Sequence, residues 1–196
     1  MKASPPRPYR MNARADTAAA TGQRIVAAAT TLVAERFYDE VSLADIAKAA
    51  GVTVQTVLRR FGSKEGLVDA AIEAGGAEVR TARWAAGAGD LDSAMRGLSE
   101  HYEQWGDRSL RFLAQEMTTP PMRRVTDAGR ALHQEWVDHA FGPWLDAAAG
   151  DRRTQLRAML IAATDVYVWK VFRHDLGLDS SSTAAALRAL VAAILA

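Results

Sequence analysis

From Thr21 to the end of the chain the apolar residues recur three and four positions apart. No segment sustains a period of two with β-branched residues, so the pattern predicts an all-α protein. Ile25, Ala28, Ala29 and Leu32 share one face of a first helix that ends near Arg36. Ser42 precedes Leu43, with Asp45 three residues on, a capping-box variant that opens a second helix. Leu43, Ile46, Ala47 and Ala50 form its buried stripe, and Gly51 supplies the left-handed residue that ends it. Thr53 caps a short third helix with Val57 and Phe61 inward. Gly62 stops that helix, and Ser63 caps a fourth that passes Leu67 and Ala71 to about Trp84.

Five further helices are expected, about nine in all. Leu91, Met95, Leu98, Tyr102 and Trp105 belong to the fifth, and Leu110, Leu113 and Met117 to a sixth closed by Pro120-Pro121. The seventh carries Val125, Leu132, Trp136 and Val137, and Pro143 breaks it near its end. Leu156, Leu160, Ala163, Tyr167 and Lys170 share a face of the eighth, which Gly177 ends. The last runs from Ser181 or Ser182 to Leu195. Gly75-Gly76 interrupts the fourth helix, which implies either close packing against a neighbour or a hinge. Before Thr21, Pro5, Pro6 and Pro8 disfavour helix, and Arg7, Arg10 and Arg14 precede the first acidic residue, Asp16. The expected organisation is a disordered basic arm at residues 1–20, a small helical domain at 21–67 and a larger one at 68–196.

Composition narrows the chemistry. The chain has 196 residues, 24 Lys plus Arg against 23 Asp plus Glu, and no cysteine. Zero cysteines exclude thiol nucleophiles, disulfides, iron–sulfur clusters and cysteine-bound zinc. Neither a secretory leader nor a membrane span is expected, and the cytoplasm is the expected compartment. The near-neutral total hides an asymmetry: ten Lys or Arg face seven Asp or Glu up to Ala70, and the remainder is net acidic. A basic first third on an acidic body suits a nucleic-acid reader joined to a regulatory part.

The second and third helices form a helix-turn-helix. Ala47 and Ala50 permit close approach, Gly51 allows the turn, and Val52 plugs it. The third helix then keeps Thr53, Gln55, Thr56, Arg59 and Arg60 outward, side chains suited to base edges and phosphates.

Residues 21–68, TGQRIVAAATTLVAERFYDEVSLADIAKAAGVTVQTVLRRFGSKEGLV, resemble the N-terminal domain of the TetR (tetracycline-repressor) family of transcriptional regulators. Ile46-Ala47, Ala50-Gly51-Val52, Phe61 and Ser63-Lys64-Glu65 followed by Leu67 carry the resemblance, in fixed register. It implies a three-helix DNA-binding domain on a larger helical ligand-binding and dimerisation domain. By that likeness Ser42 contacts a phosphate, and Thr53, Val54 and Gln55 read bases. Thr56 and Arg59 touch backbone or base edges, and Lys64 anchors a phosphate. Two positions depart from the family pattern. Leu58 stands where a Tyr usually bonds phosphate, which leaves it a thymine methyl or deoxyribose to touch, with Arg59 and Arg60 supplying backbone contacts. Phe37 stands where a Gly usually ends the first helix, and with Tyr38 it is expected to fill the small domain's core.

The resemblance further implies a homodimer on a near-palindromic duplex operator, a small-molecule effector, and no catalysis, cofactor or metal. Tyr102, Trp105, Phe112, Met117, Trp136 and Trp169 are the candidate ligand contacts, with His101, His133, Glu116 or Arg111 to orient the ligand. Each aromatic is equally what a core requires. Val166, Leu187, Leu190, Val191 and Ile194 are the candidate dimer contacts. The last helix has one charge, Arg188, so it should be covered on most sides, as in a four-helix bundle made by two chains. The expected function is a repressor released by a partly apolar ligand. The alternatives are a regulator of the same fold without a ligand and, less favoured, a metal sensor using His133, Glu135, Asp138 and His139. One helix cannot turn those four side chains to one point. A hydrolase lacks support, because no G-x-S-x-G elbow and no H-E-x-x-H motif is present.

Overall fold

A computed structural model of the chain describes residues 7–196, with side chains from Thr17 onward. It is all-helical, and the backbone divides into two compact units between Glu73 and Ala74. The start of the expected basic arm, residues 1–6, lies outside the described residues, as do the side chains of Arg7, Arg10 and Arg14. Helix α1 spans Arg7–Glu35 and so begins before the expected start at Thr21. Pro8 falls in its first turn, where a missing N–H costs no helical hydrogen bond.

In the first unit α1 is followed by a single 3₁₀ turn, Tyr38–Glu40, then α2 (Leu43–Ala49), α3 (Val54–Phe61) and the beginning of α4 (Lys64–Arg83). Ile25, Val33, Tyr38, Val41, Ile46, Val57 and Leu67 meet in its core, with Ile25 and Val57 wholly inaccessible. Burying each such side chain is worth about 1.5–3 kcal/mol, which fixes the short helices that could not stand alone. The α2–α3 turn closes on a paired C-cap. The Val52 N–H donates to Ala47 O at 2.9 Å and the Gly51 N–H to Lys48 O at 3.2 Å. Gly51 sits at φ 66°, as that motif demands. Phe37 corrects an expectation: it is half exposed, while Tyr38 alone turns inward. Its extended backbone, φ −63° and ψ 145°, ends α1 without any left-handed residue.

The second unit comprises the rest of α4 with α5 (Leu91–Leu113), α6 (Pro120–Ala140), α7 (Gly142–Ala147), α8 (Gly150–Ala163), α9 (Val166–Lys170) and α10 (Ser180–Leu195). A π-helical turn, Val171–Asp175, continues α9. Trp136, Phe141, Leu98, Leu145, Leu160 and Leu187 fill the centre. Three breaks differ from the sequence pattern. Leu91 to Leu113 is one helix and not two, and Gly106 within it is a contact point: a Cβ there would lie 2.4 Å from Trp169. Pro143 opens the separate α7, where its missing N–H is harmless. The expected eighth helix is cut after Ala163. The Thr164 hydroxyl donates back to Leu160 O at 2.6 Å, and Asp165 caps α9 by accepting from the Tyr167 N–H at 2.8 Å.

Candidate functional site

The recognition element is built from its caps upward. At the start of α2 the Asp45 N–H donates to Ser42 Oγ at 3.1 Å. The Ser42 N–H and hydroxyl donate in turn to Asp45 Oδ2 at 2.9 and 2.7 Å. These bonds, the backbone one first, hold the Asp45 carboxyl below its ordinary range. At α3 the Thr56 N–H donates to Thr53 Oγ1 at 3.2 Å, and the two hydroxyls lie 2.9 Å apart. With Val57 buried on the inner side, Thr53, Val54, Gln55 and Arg59 are exposed together, and Thr56 and Leu58 are half-buried beside them.

Two cations are partly engaged. Arg60 lays its guanidinium over Gly22 of α1, where a Cβ would come within 2.3 Å of Nε. Lys64 holds its ammonium over the Tyr38 ring, 3.7 Å from the centroid, and donates to the Tyr38 carbonyl. Partial burial lowers its pKa, opposed by Asp39 and Glu65. Arg59 and Arg60 also line an open groove of about 650 Å³ with Thr17, Ala18, Thr21 and Thr56. The expected reading residues thus lie on one helix start, and Lys64 is braced rather than free.

The second unit does not bring the expected ligand contacts into one cavity. Trp136, Tyr102 and Trp169 are core, at 1%, 5% and 3% exposure. The Tyr102 hydroxyl donates to Thr164 O at 2.8 Å, and the Trp169 indole N–H donates to Glu103 at 3.0 Å. Met117 stands in the α5–α6 turn at 82% exposure, because α5 ends before it. Trp105 and Phe112 are half-buried, with the Arg108 guanidinium 3.7 Å from the Trp105 centroid and 6.0 Å from that of Phe112. Glu116 is held by Thr126 and Arg130, and Arg111 is exposed. Of the expected dimer contacts, Val166, Leu187 and Val191 are covered inside the protomer's own core. Leu190 is exposed and Ile194 half-buried.

The four residues weighed as a metal set are dispersed. Glu135 pairs with Arg80 at 2.7 Å and Asp138 with Arg157 at 2.6 Å. His139 stacks on Trp84 and bonds Ala86 O at 3.2 Å. Among the described residues no group of three or more His, Cys, Asp or Glu converges to hold a metal ion. No described helix is long and apolar enough to cross a membrane.

Periodicity missed one group. Arg83, the last residue of α4, is 5% exposed, although a helix-terminal Arg ordinarily faces solvent and the dipole. Its Nη2 donates to His133 Nδ1 at 3.2 Å, its guanidinium carbon lies 4.0 Å from the Trp136 centroid, and its Nε has no partner among the described residues. Burial pushes its pKa down to about 10. His133 lies 3.1 Å from Thr164 Oγ1 and 3.3 Å from Ile161 O through Nε2. Burial first, and the Arg83 charge second, push it down to about 4. His101 is pushed to about 3 by burial, then by Arg83 and Arg108.

The first unit is a helix-turn-helix of the kind that enters a groove of duplex DNA, and the second is a separate helical unit. Residues 25–71 match the family model "Bacterial regulatory proteins, tetR family". The fold resembles a transcriptional regulator from Rhodococcus sp. Rha1, with TM-score 0.66 and 19% identity over 89% of this chain and 95% of that one. A Rhodococcus sp. protein assigned to the TetR-family regulators aligns with TM-score 0.65 and 16% identity over 90% and 99% of the two chains. A TetR-family regulator from Streptomyces coelicolor A3 shares 25% identity at TM-score 0.50, over 89% and 94%. No curated protein matches the chain in sequence. The sequence match thus covers the helix-turn-helix segment, residues 25–71, and the structural likeness over nearly the whole chain shows the fold of these regulators.

Proposed function

We propose that the protein is a repressor that binds a near-palindromic operator as a homodimer in the cytoplasm and leaves it when a small, partly apolar effector binds the second unit. The observation that carries this reading is the exposed set Thr53, Val54, Gln55 and Arg59 on a helix start held by fully buried Val57. Gln55 offers a bidentate amide for a base edge, and Arg59 is exposed beside it. Ser42 and Lys64 flank them as phosphate contacts. A dimer sets two such helices one turn of duplex apart, about 34–36 Å. The exposed apolar side chains Met159, Tyr167 and Leu190 on α8, α9 and α10 support that assembly, since a lone chain would leave them wet. Release requires only that the effector prefer the conformation in which the reading helices are misplaced.

Selection of bound genomic fragments tests the reading. The wild type should enrich near-palindromic sites, and Gln55→Ala should alter the preferred bases. Arg59→Ala should weaken binding to all sequences and lower the salt slope by about 1. Feeble, sequence-indifferent binding at moderate salt, or a monomer in sedimentation, overturns the reading. DNA occupancy that no compound changes leaves a regulator of the same fold without an effector.

A further inference from the structure

Buried charges are ordinarily paired, because desolvation of an ion is costly unless an opposite charge or a full set of hydrogen bonds repays it. Arg83 breaks that rule. It is 5% exposed, its Nε has no acceptor, and no carboxylate forms an ion pair with it among the described residues. Its one hydrogen bond goes to an uncharged imidazole, His133. That acceptor cannot be protonated while it receives the Arg83 N–H, so the pair carries one positive charge and not two. The remaining bonds offer no anion either. Tyr102 donates to Thr164 O and Thr164 to Leu160 O, so the network ends on backbone carbonyls. Asp165, the carboxylate that acts on Tyr102, is spent capping α9.

The Trp136 ring below the guanidinium supplies an apolar floor.

We infer that Arg83 is the anion anchor of the effector site and that the effector is a monoanionic carboxylate on an apolar body. This deepens the effector-released reading above and rests on it. One net charge calls for a monoanion, and a guanidinium with an idle Nε is shaped for a carboxylate fork. His133 orients the guanidinium through its Nη2, so it is a positioning residue.

The test uses the full chain with benzoate, phenylacetate and octanoate, each beside its primary amide, in thermal-shift and calorimetric titrations. At least one carboxylate should stabilise the wild type. Its amide should bind about ten- to a hundredfold more weakly, the loss of a charged hydrogen bond. Arg83→Met should lose the carboxylate response and keep or raise its own melting temperature, since it removes an unpaired buried charge. Arg83→Lys, which keeps the charge without the fork, should bind with intermediate affinity and carries the test if Arg83→Met does not fold. The proposal is overturned if no carboxylate stabilises the wild type, if amides bind as well, or if both variants respond like the wild type. Release of DNA by the amides overturns the carboxylate but leaves the effector-released reading standing. Carboxylates that bind through Arg83 without changing DNA occupancy uphold the site and overturn that reading.

Discussion

Replacing Gly106 by Ala puts a methyl carbon 2.4 Å from Cζ3, 2.6 Å from Cη2 and 2.9 Å from Cε3 of Trp169. Carbon atoms rest at about 3.5–4.0 Å, so the ring must retreat by about 1 Å. It has little freedom to do so. Trp169 is 3% exposed, and its N–H is bonded to Glu103. Its ring packs edge-on against His174 with centroids 5.1 Å apart and lies 6.0 Å from the Tyr102 ring. Overpacking of this kind costs about 1–3 kcal/mol, while Gly to Ala inside a helix returns about 1 kcal/mol. Gly97→Ala isolates the first effect. It lies in the same helix and gains the same propensity, yet its Cβ meets nothing. Gly106→Ala should therefore be about 1–3 kcal/mol less stable than Gly97→Ala. Urea unfolding followed by tryptophan fluorescence and circular dichroism reads the difference. Equal stability of the two variants would refute the reasoning, because it would mean that Trp169 faces free space, as a pocket residue does.

Three other expectations follow from the same geometry. His133 is held neutral, with its pKa pushed down to about 4, mainly by burial. The unfolded chain takes up that proton near pH 6.5, so stability is full above 6.5 and falls as the pH drops towards 4, by up to about 1.4 kcal/mol per pH unit. Melting curves of His133→Gln should fall less steeply than wild type, the remaining fall coming from His101, which burial pushes down to about 3; curves that stay parallel to wild type from pH 7 to about 4 contradict it. Gly75→Ala with Gly76→Ala meets no steric obstacle and should raise stability by about 1 kcal/mol for each site. If the pair is a hinge, effector affinity stays while release of DNA weakens; unchanged induction removes the hinge. Leu190→Glu places a carboxylate on the open side of α10 and should yield a monomer with weakened operator binding, and a persistent dimer in sedimentation excludes that face from the interface.

Local chemistry was readable from the sequence. The cap pairs Ser42–Asp45 and Thr53–Thr56 and the Gly51 turn involve partners at most five residues apart, so their spacing determines them. Distant contacts were not. The expected division between Trp105 and Leu110 is absent, and Gly106 between them is the point on which Trp169, far along the chain, rests. Phe37 and Tyr38 are adjacent aromatics, and only the 3₁₀ turn decides which one enters the core. Arg83 carries no periodic signal, since the groups beside it come from α5 and α6.

The aromatic and dimer positions share a deeper ambiguity. Apolar spacing states that a helix face is covered, but not what covers it. On α10 that distinction resolves into two stripes. Thr183, Leu187 and Val191 lie in the protomer core, while Ala185, Ala189, Leu190 and Ala193 stay exposed. A helix serving one core needs a single apolar stripe and would be expected to carry charge opposite it. Here Arg188 is the only charged residue of the helix. The lack of charge on the second stripe is therefore what α10 adds beyond the needs of its own fold, and the homodimer proposed above would cover it.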